Sequence, residues 1–323
     1  MEYTKFGQTD LNVSVLALGT GSYFSNIPDD VSERMLNLFY EEGGNLYDTA
    51  NYYGRWKPGN KPLSEINLGK WIKKNNMRHR IVLATKGACY FSNRPDLPRV
   101  TPKYIEEDLH ESLKNLQTDY IDFYWLHQDD VKQPVEEIID ILNRFVKEGK
   151  IRWFGCSNWK VERMKAADDY ASKNGLKTFY ASQVMMNLAV PNMEPLNELK
   201  QSWVGPELQK YYVKEKMPLA AYTSQAMGIY KLALRDDFLT NPNFHQARRY
   251  FLNEGTTSRV IQVKKLSQKT GMTPIQICLG YLQSQKFQVI PIIGPRNENE
   301  LRESLEGAGC KLLAEEMSFI ING

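Results

Sequence analysis

Four side chains with chemistry to offer stand where apolar runs of this 323-residue sequence end. The run Asn45-Leu46-Tyr47 closes on Asp48, with Tyr53 and Gly54 shortly after it. The run from Ile81 closes on Lys86, and the run from Tyr120 closes on His127. Each has an ordinary reading alone. Asp48 caps the next turn, Tyr53 packs with its hydroxyl in a polar contact, Lys86 is a solvated strand end, and His127 is satisfied by a backbone carbonyl. Together, at three successive strand ends, they offer a proton path. A free tyrosine, with a pKa near ~10, is a poor acid at neutral pH. An adjacent ammonium stabilises its phenolate and lowers that value, and a carboxylate would keep the ammonium charged and in place.

The elements that must deliver these groups follow from hydrophobic periodicity. Val135, Ile138, Ile139, Leu142, Phe145 and Val146 recur at intervals of three and four, one face of a helix. Pro134 suits its first turn, Gly149 its stop, and Ile151–Cys156 then reads as a buried strand. The same helix-then-strand unit recurs at 29–50, 64–86 and 101–127, and further strands are expected at Tyr180–Asn187, Pro218–Ser224 and Phe287–Gly294, with an early one at Val13–Leu18. Eight strands with short connections from helices imply parallel pairing. An open doubly wound sheet fits this count. A closed α/β (β/α)8 TIM barrel fits it better, because no linker or composition break divides the chain. Residues 1–323 are therefore expected to form one domain. Tyr3, Phe6, Leu11 and Val13 around Gly7–Asp10 predict an N-terminal β-hairpin over one end.

Composition narrows the function classes. A net charge of +3 without a Lys/Arg stripe argues against nucleic acid as a partner. No apolar run reaches membrane-spanning length, and the N-terminus carries no secretory pattern, so a cytoplasmic protein without membrane contact is expected. Cys89, Cys156, Cys278 and Cys310 lie far apart, as reduced thiols would. His79, His110 and His245 have no metal-ligand spacing, and no metal site is assigned.

The ordered series Tyr3–Gly21, DTANYYG, ATK, LHQDD, GCSN, SQVMMN and IIGPRNENELRES resembles the aldo-keto reductase family, from about residue 3 to about residue 306. The resemblance implies an NAD(P)H-dependent reductase of aldehydes or ketones. It makes Tyr53 the general acid, with Asp48, Lys86 and His127 completing the catalytic set; His127 would bond the substrate oxygen or share the proton path. It also implies a nicotinamide cofactor held without a Rossmann fingerprint, and none is present. By position, Thr20, Gly21 and Asp48 would border the cofactor, and Ser157, Asn158 and Gln183 would bond the carboxamide. Tyr222 would stack on the nicotinamide ring, and Thr223, Ser224, Gln225, Ala226 and Met227 would wrap the pyrophosphate. Here Thr-Ser-Gln replaces the family's Ser-Pro-Leu. Gly294, Arg296, Glu300, Glu303 and Ser304 would face the adenosine, Arg296 pairing with a 2′-phosphate. Glu300 and Ser304 stand where Gln and Asn are frequent. NADPH is favoured, and NADH use stays open because a carboxylate at 300 repels a phosphate.

On the substrate side, the link RWKPGNKPL is longer than usual in the family, and Arg55, Trp56, Lys57 and His127 are the candidate contacts for a small-molecule carbonyl compound. An apolar wall with a cationic rim is one reading of the link, and a solvated loop is the other. An open pocket would suit a sugar-derived aldehyde or ketone. Trp125 is expected to pack, pointing away from the mouth. The long segment 225–255, with Tyr230, Arg235, Phe238, Phe244 and Arg248, reads as a lid or binding loop, while the short tail after Gly307 leaves little room for a further substrate loop. The rival reading is a nucleotide-binding regulatory or redox-sensing subunit resembling potassium-channel β subunits. The complete catalytic set argues against it. Oligomeric state is not legible.

Overall fold

A computed structural model describes residues 1–90 and 97–323. Two short strands, β1 (Tyr3–Lys5) and β2 (Asn12–Ser14), pair antiparallel as the expected hairpin. Eight parallel strands follow: β3 (Ala17–Gly19), β4 (Leu46–Asp48), β5 (Val82–Gly87), β6 (Ile121–Leu126), β7 (Ile151–Ser157), β8 (Ser182–Met185), β9 (Leu219–Tyr222) and β10 (Val289–Ile293). They close in sequence order, β10 returning to β3 through Ile292↔Ala17. The (β/α)8 barrel with an N-terminal hairpin is thus the fold.

One expected strand is divided. Val13–Leu18 bends between β2 and β3, because the Ser14 hydroxyl donates to Leu16 O at 2.7 Å while the Ser14 amide donates to Asn45 Oδ1 at 2.7 Å. Its first half therefore belongs to the hairpin and only its second half to the barrel.

Helices cover the outside of the barrel. The one at Val135–Lys147 buries the predicted stripe, with Pro134 at the N-cap rather than inside the first turn and Gly149 at φ +72° beyond the stop. Inside the bore, the small residues Ala17, Ala84, Ala181 and Ala220 make room for Phe123 and Trp125, whose rings lie 4.3 Å apart. A Cβ at Gly155 would come within 2.6 Å of the Trp125 ring, so glycine is required there. Trp125 packs, as expected, but down the bore beneath the mouth rather than away from it. Phe6, Leu11 and Val13 of the hairpin plug the far end. Gln288 latches the plug: it accepts from Gly7 N at 2.8 Å and donates to Lys5 O at 2.7 Å.

Two long connections stand at the opposite, C-terminal end. The one after β8 contains a short helix at Met193–Glu198, and the one after β9 contains Ile229–Leu232 and His245–Phe251. Leu188, Leu196, Ile229, Phe238 and Phe251 bury them against each other. The expected lid is thus tied to its neighbouring loop, and Asn192 N donates to Tyr250 O at 2.7 Å across the join. Helices at Glu254–Thr270 and Ala314–Asn322 lie beside them. Among the described residues no helix is long and apolar enough to cross a membrane.

Candidate active site

Parallel register brings the four groups together. Asp48 and Lys86 are both buried at the ends of adjacent strands, Asp48 pairing with Ala84 and Lys86 with Trp125 of β6. The Lys86 ammonium, 1% exposed, donates to the Asp48 carboxylate and to Thr49 O at 2.7 Å. The other Asp48 oxygen accepts from Gln183 Nε2 at 3.0 Å, a bond that spans the bore between non-adjacent strands. Around this pair, Ser64 Oγ donates to Thr20 Oγ1 at 2.8 Å and lies 2.9 Å from Thr49 Oγ1. The first turn of the helix at Leu63–Lys74 thereby fixes the turn that carries Tyr53.

Tyr53 sits on that turn with its ring centroid 4.7 Å from Lys86 Nζ and 5.8 Å, edge on, from the His127 ring. A Cβ at Gly21 would lie 3.7 Å from the Tyr53 ring, so the loop after β3 borders it. Gly54 has φ +94°, and a Cβ there would meet Leu63 at 2.7 Å. The Tyr-Gly pair is therefore a geometric requirement: only glycine lets the chain turn at once behind the tyrosine.

The charge states follow from burial and neighbours. Burial alone would lower the Lys86 pKa, but Asp48 and Tyr53 lift it above its ordinary value, so the ammonium persists. For Tyr53, burial pushes the phenol up and Lys86 pulls it down, with Asp48 adding to the rise. The net direction is upward. Lys86 acts in the expected sense, yet desolvation outweighs it, and Tyr53 stands protonated at neutral pH. Burial, aided by Lys86, drives His127 down to about 3, leaving a neutral imidazole. Its Nδ1 is buried without a partner among the described residues, while its backbone amide donates to Gly87 O at 2.9 Å.

The residues expected around a nicotinamide nucleotide line the next strand ends. Asn158, at φ +64°, donates from Nδ2 to His127 O at 3.2 Å and to Ser157 Oγ at 3.1 Å; its Oδ1 accepts from Tyr222 at 2.8 Å. Ser157 in turn donates to Gln183 O at 2.7 Å. Thr223, Ala226 and Met227 all take positive φ, and Ser224 Oγ anchors the turn to Ile292 O at 2.7 Å. No described partner accepts from the Ser224 and Gln225 amides. Such a left-handed turn with free amides fits a phosphate.

Gln225 Nε2 reaches Ser304 Oγ at 2.8 Å, and Lys231 pairs with Glu303 at 3.0 Å. Arg296 is already engaged, since Glu300 accepts from its amide at 2.9 Å and from Nη2 at 2.8 Å. Gly294 faces open space.

The candidate substrate contacts separate. Trp56 is exposed and packs 6.0 Å from the Tyr52 ring, and Lys57 is half-buried. Arg55 is drawn inward instead: its guanidinium donates to Asn51 O at 2.8 Å, to Asn60 O at 2.9 Å and to Glu111 at 2.5 Å. It pins the link to the helix at Pro102–Leu116 and adds no open charge to a rim. Sequence reasoning missed Ser202, which donates through its amide to Asn158 Oδ1 at 2.9 Å and accepts from Tyr222 at 3.2 Å. The signal was length, since thirty-three residues lie between Met185 and Leu219, far more than one helix needs.

Known proteins resemble this chain in sequence and in fold. The sequence profile of the Aldo/keto reductase family matches residues 15–321. The chain is 28% identical to the uncharacterized oxidoreductase YrpG of Bacillus subtilis, over 97% of this chain and 92% of that protein. It is 24% identical to the putative aryl-alcohol dehydrogenase AAD14 of Saccharomyces cerevisiae, covering 96% and 83% respectively. It is 27% identical to norsolorinic acid reductase B of Aspergillus parasiticus, covering 97% and 81%. The crystal structure of the thermostable aldo-keto reductase Tm1743 superimposes with a TM-score of 0.72 at 23% identity, covering 99% of this chain and 98% of that one, and shares its fold.

Proposed function

We propose that this chain, which belongs to the aldo/keto reductase family and is thereby an NAD(P)H-dependent oxidoreductase, reduces an aldehyde or ketone to the alcohol with Tyr53 as general acid. The observation that carries this reading is the buried relay from Gln183 through Asp48 and Lys86 to Tyr53. A bound nicotinamide would supply the hydride. The chain's own residues do the rest. Tyr53 holds a proton at its hydroxyl and gives it to the developing alkoxide. Lys86, kept charged by Asp48, stabilises the phenolate left behind. His127, neutral, offers a ring nitrogen to the carbonyl oxygen.

NADPH is the proposed preferred cofactor, with NADH accepted. Arg296 is the cation available to a 2′-phosphate, and its pair with Glu300 is exposed at the surface. Such pairs contribute only ~0–1 kcal/mol, so a phosphate can displace the carboxylate at a small cost. For substrate class, the aryl-alcohol dehydrogenase among the relatives and the Tyr52–Trp56 pair beside Tyr53 favour aromatic carbonyl compounds over sugar-derived ones. We also take residues 1–323 as one domain, since Tyr222 and Tyr281 each pack against two of the apolar clusters. A cytoplasmic location suits the free thiols.

The test is oxidation of NADPH and, separately, NADH against benzaldehyde, an aryl ketone and glyceraldehyde. Tyr53→Phe should abolish turnover while nucleotide still binds. Near-full activity in that variant would overturn the assignment. Silence across the panel with tight nucleotide binding would favour the regulatory-subunit reading.

A further inference from the structure

The connection after β8 encloses more than the nucleotide side of the barrel. Between it and the outer helices lies a cleft of 240 Å³, walled by Met185, Met186, Trp203, Pro206, Tyr281 and Ile321. Asn187 and Gln209 also line it, and among the described lining residues one cation enters, Arg259 from the helix at Glu254–Thr270. Its Nη1 donates to Leu188 O at 2.7 Å, which fixes the guanidinium, and it meets no carboxylate among the described residues. The same charge is felt by the phenols of Tyr230 and Tyr281, which burial pushes up and Arg259 pulls back. The Tyr230 hydroxyl itself is buried without a partner among the described residues.

An arginine presents five donors in a planar fork that suits a carboxylate, and here one of them is spent on backbone. The others are left on a half-buried guanidinium in an open cleft, where an incoming carboxylate can take them. The volume is ample, because an engineered cavity of about 150 Å³ holds benzene. We propose that this cleft is a second ligand site, taking a small arylalkyl carboxylate with its acid group on Arg259 and its ring against Trp203 and Met186. The site is separate from the catalytic mouth but shares a wall with it. Met185, Trp203 and Val204 line the cleft, and the adjoining Ser202 holds Asn158 and Tyr222.

The probes are 3-phenylpropanoate and its neutral amide, titrated calorimetrically into the full chain. Saturable binding of the acid is expected, weakened about ten-fold or more for the amide and for Arg259→Met, the worth of one charge-assisted hydrogen bond. Gly205→Leu provides an independent block. At Gly205, with φ −82°, an added Cβ would meet only the Trp203 ring, at 3.5 Å, so a longer side chain grows into the cleft. Both variants should keep wild-type reductase turnover, which shows them folded. Binding should persist in Tyr53→Phe and under saturating NADPH. Equal binding of acid and amide, indifference to both cleft variants, or loss of binding with NADPH would overturn the proposal. So would a doubling of sedimenting mass with the acid excluded, which would assign the cleft to a second copy of the chain.

Discussion

Replacing Lys86 with methionine separates the electrostatic role of the relay from the packing role of its side chain. Methionine keeps most of the aliphatic stem but leaves Asp48, 4% exposed, with Gln183 as its remaining side-chain donor. Removing one partner of a buried ion pair costs ~3–5 kcal/mol, because the other charge stays desolvated. Unfolding entropy of ~2.1 cal/mol/K per residue gives ~0.7 kcal/mol/K for 323 residues. A loss of ~4 kcal/mol therefore lowers Tm by ~6 °C. The double variant Asp48→Asn/Lys86→Met removes the orphaned charge and should recover most of that shift, while kcat stays depressed by ~10²–10³ in both. Calorimetric melting and single-turnover assays with NADPH read the two effects separately. A Lys86→Met protein that melts with the wild type, or a double variant that melts lower still, would refute the reasoning. So would recovery of kcat along with Tm.

The remaining predictions concern neighbouring groups. Glu65 is fully buried behind β5, and burial lifts its carboxyl to about 7 despite bonds from Thr85 and Asn115; nearby Glu111 adds to the rise. Since the folded value exceeds the unfolded one, the stability it contributes is complete below about pH 4.5 and is lost as pH climbs through 7. Glu65→Gln should therefore raise Tm at pH 8 and change it little at pH 4.5; equal shifts at the two pH values would contradict this. Glu300→Gln frees Arg296 and should tighten NADPH binding up to about 5-fold, the worth of an exposed pair, without altering NADH; fluorescence titration of the two nucleotides decides it. Arg55→Ala should cost ~1–3 kcal/mol of stability by taking a donor from the buried Asn51 side chain while leaving KM unchanged for charged and neutral substrates alike. A KM rise confined to anionic substrates would return Arg55 to the rim.

What was legible in the sequence is what periodicity and strand ends encode. Each barrel strand buries one face toward the helices and ends in the residue that turns into the mouth, so Asp48, Lys86 and His127 could be placed by finding where apolar runs stop. Side-chain destinations across the bore were not legible. Nothing local says that Gln183 of β8 reaches Asp48 of β4, because barrel closure alone brings them together. Arg55 looked like a surface cation because its neighbours in sequence are polar, yet Glu111 on a helix fifty-six residues away draws it inward. The direction of the Tyr53 shift turned on burial, a quantity absent from the sequence, against a lysine that was present in it. The split at Ser14 was invisible because a lone serine fits inside an otherwise apolar strand, and nothing local shows its hydroxyl turning to the carbonyl two residues ahead.

The latch between the hairpin and Gln288 has a consequence for how the chain is made. The hairpin pairs with itself and one side of β3 pairs with β4 early, but the latch and the other side of β3 find their partners at 288–293, so during synthesis that side must wait for roughly 270 residues to follow it. At ~5–20 residues per second that is ~15–55 s on the ribosome with one edge of the sheet unpaired. The exposed edge is only three residues long, and short edges offer little to a stray strand. Brevity of β3 thus protects the nascent protein during the interval that barrel closure imposes.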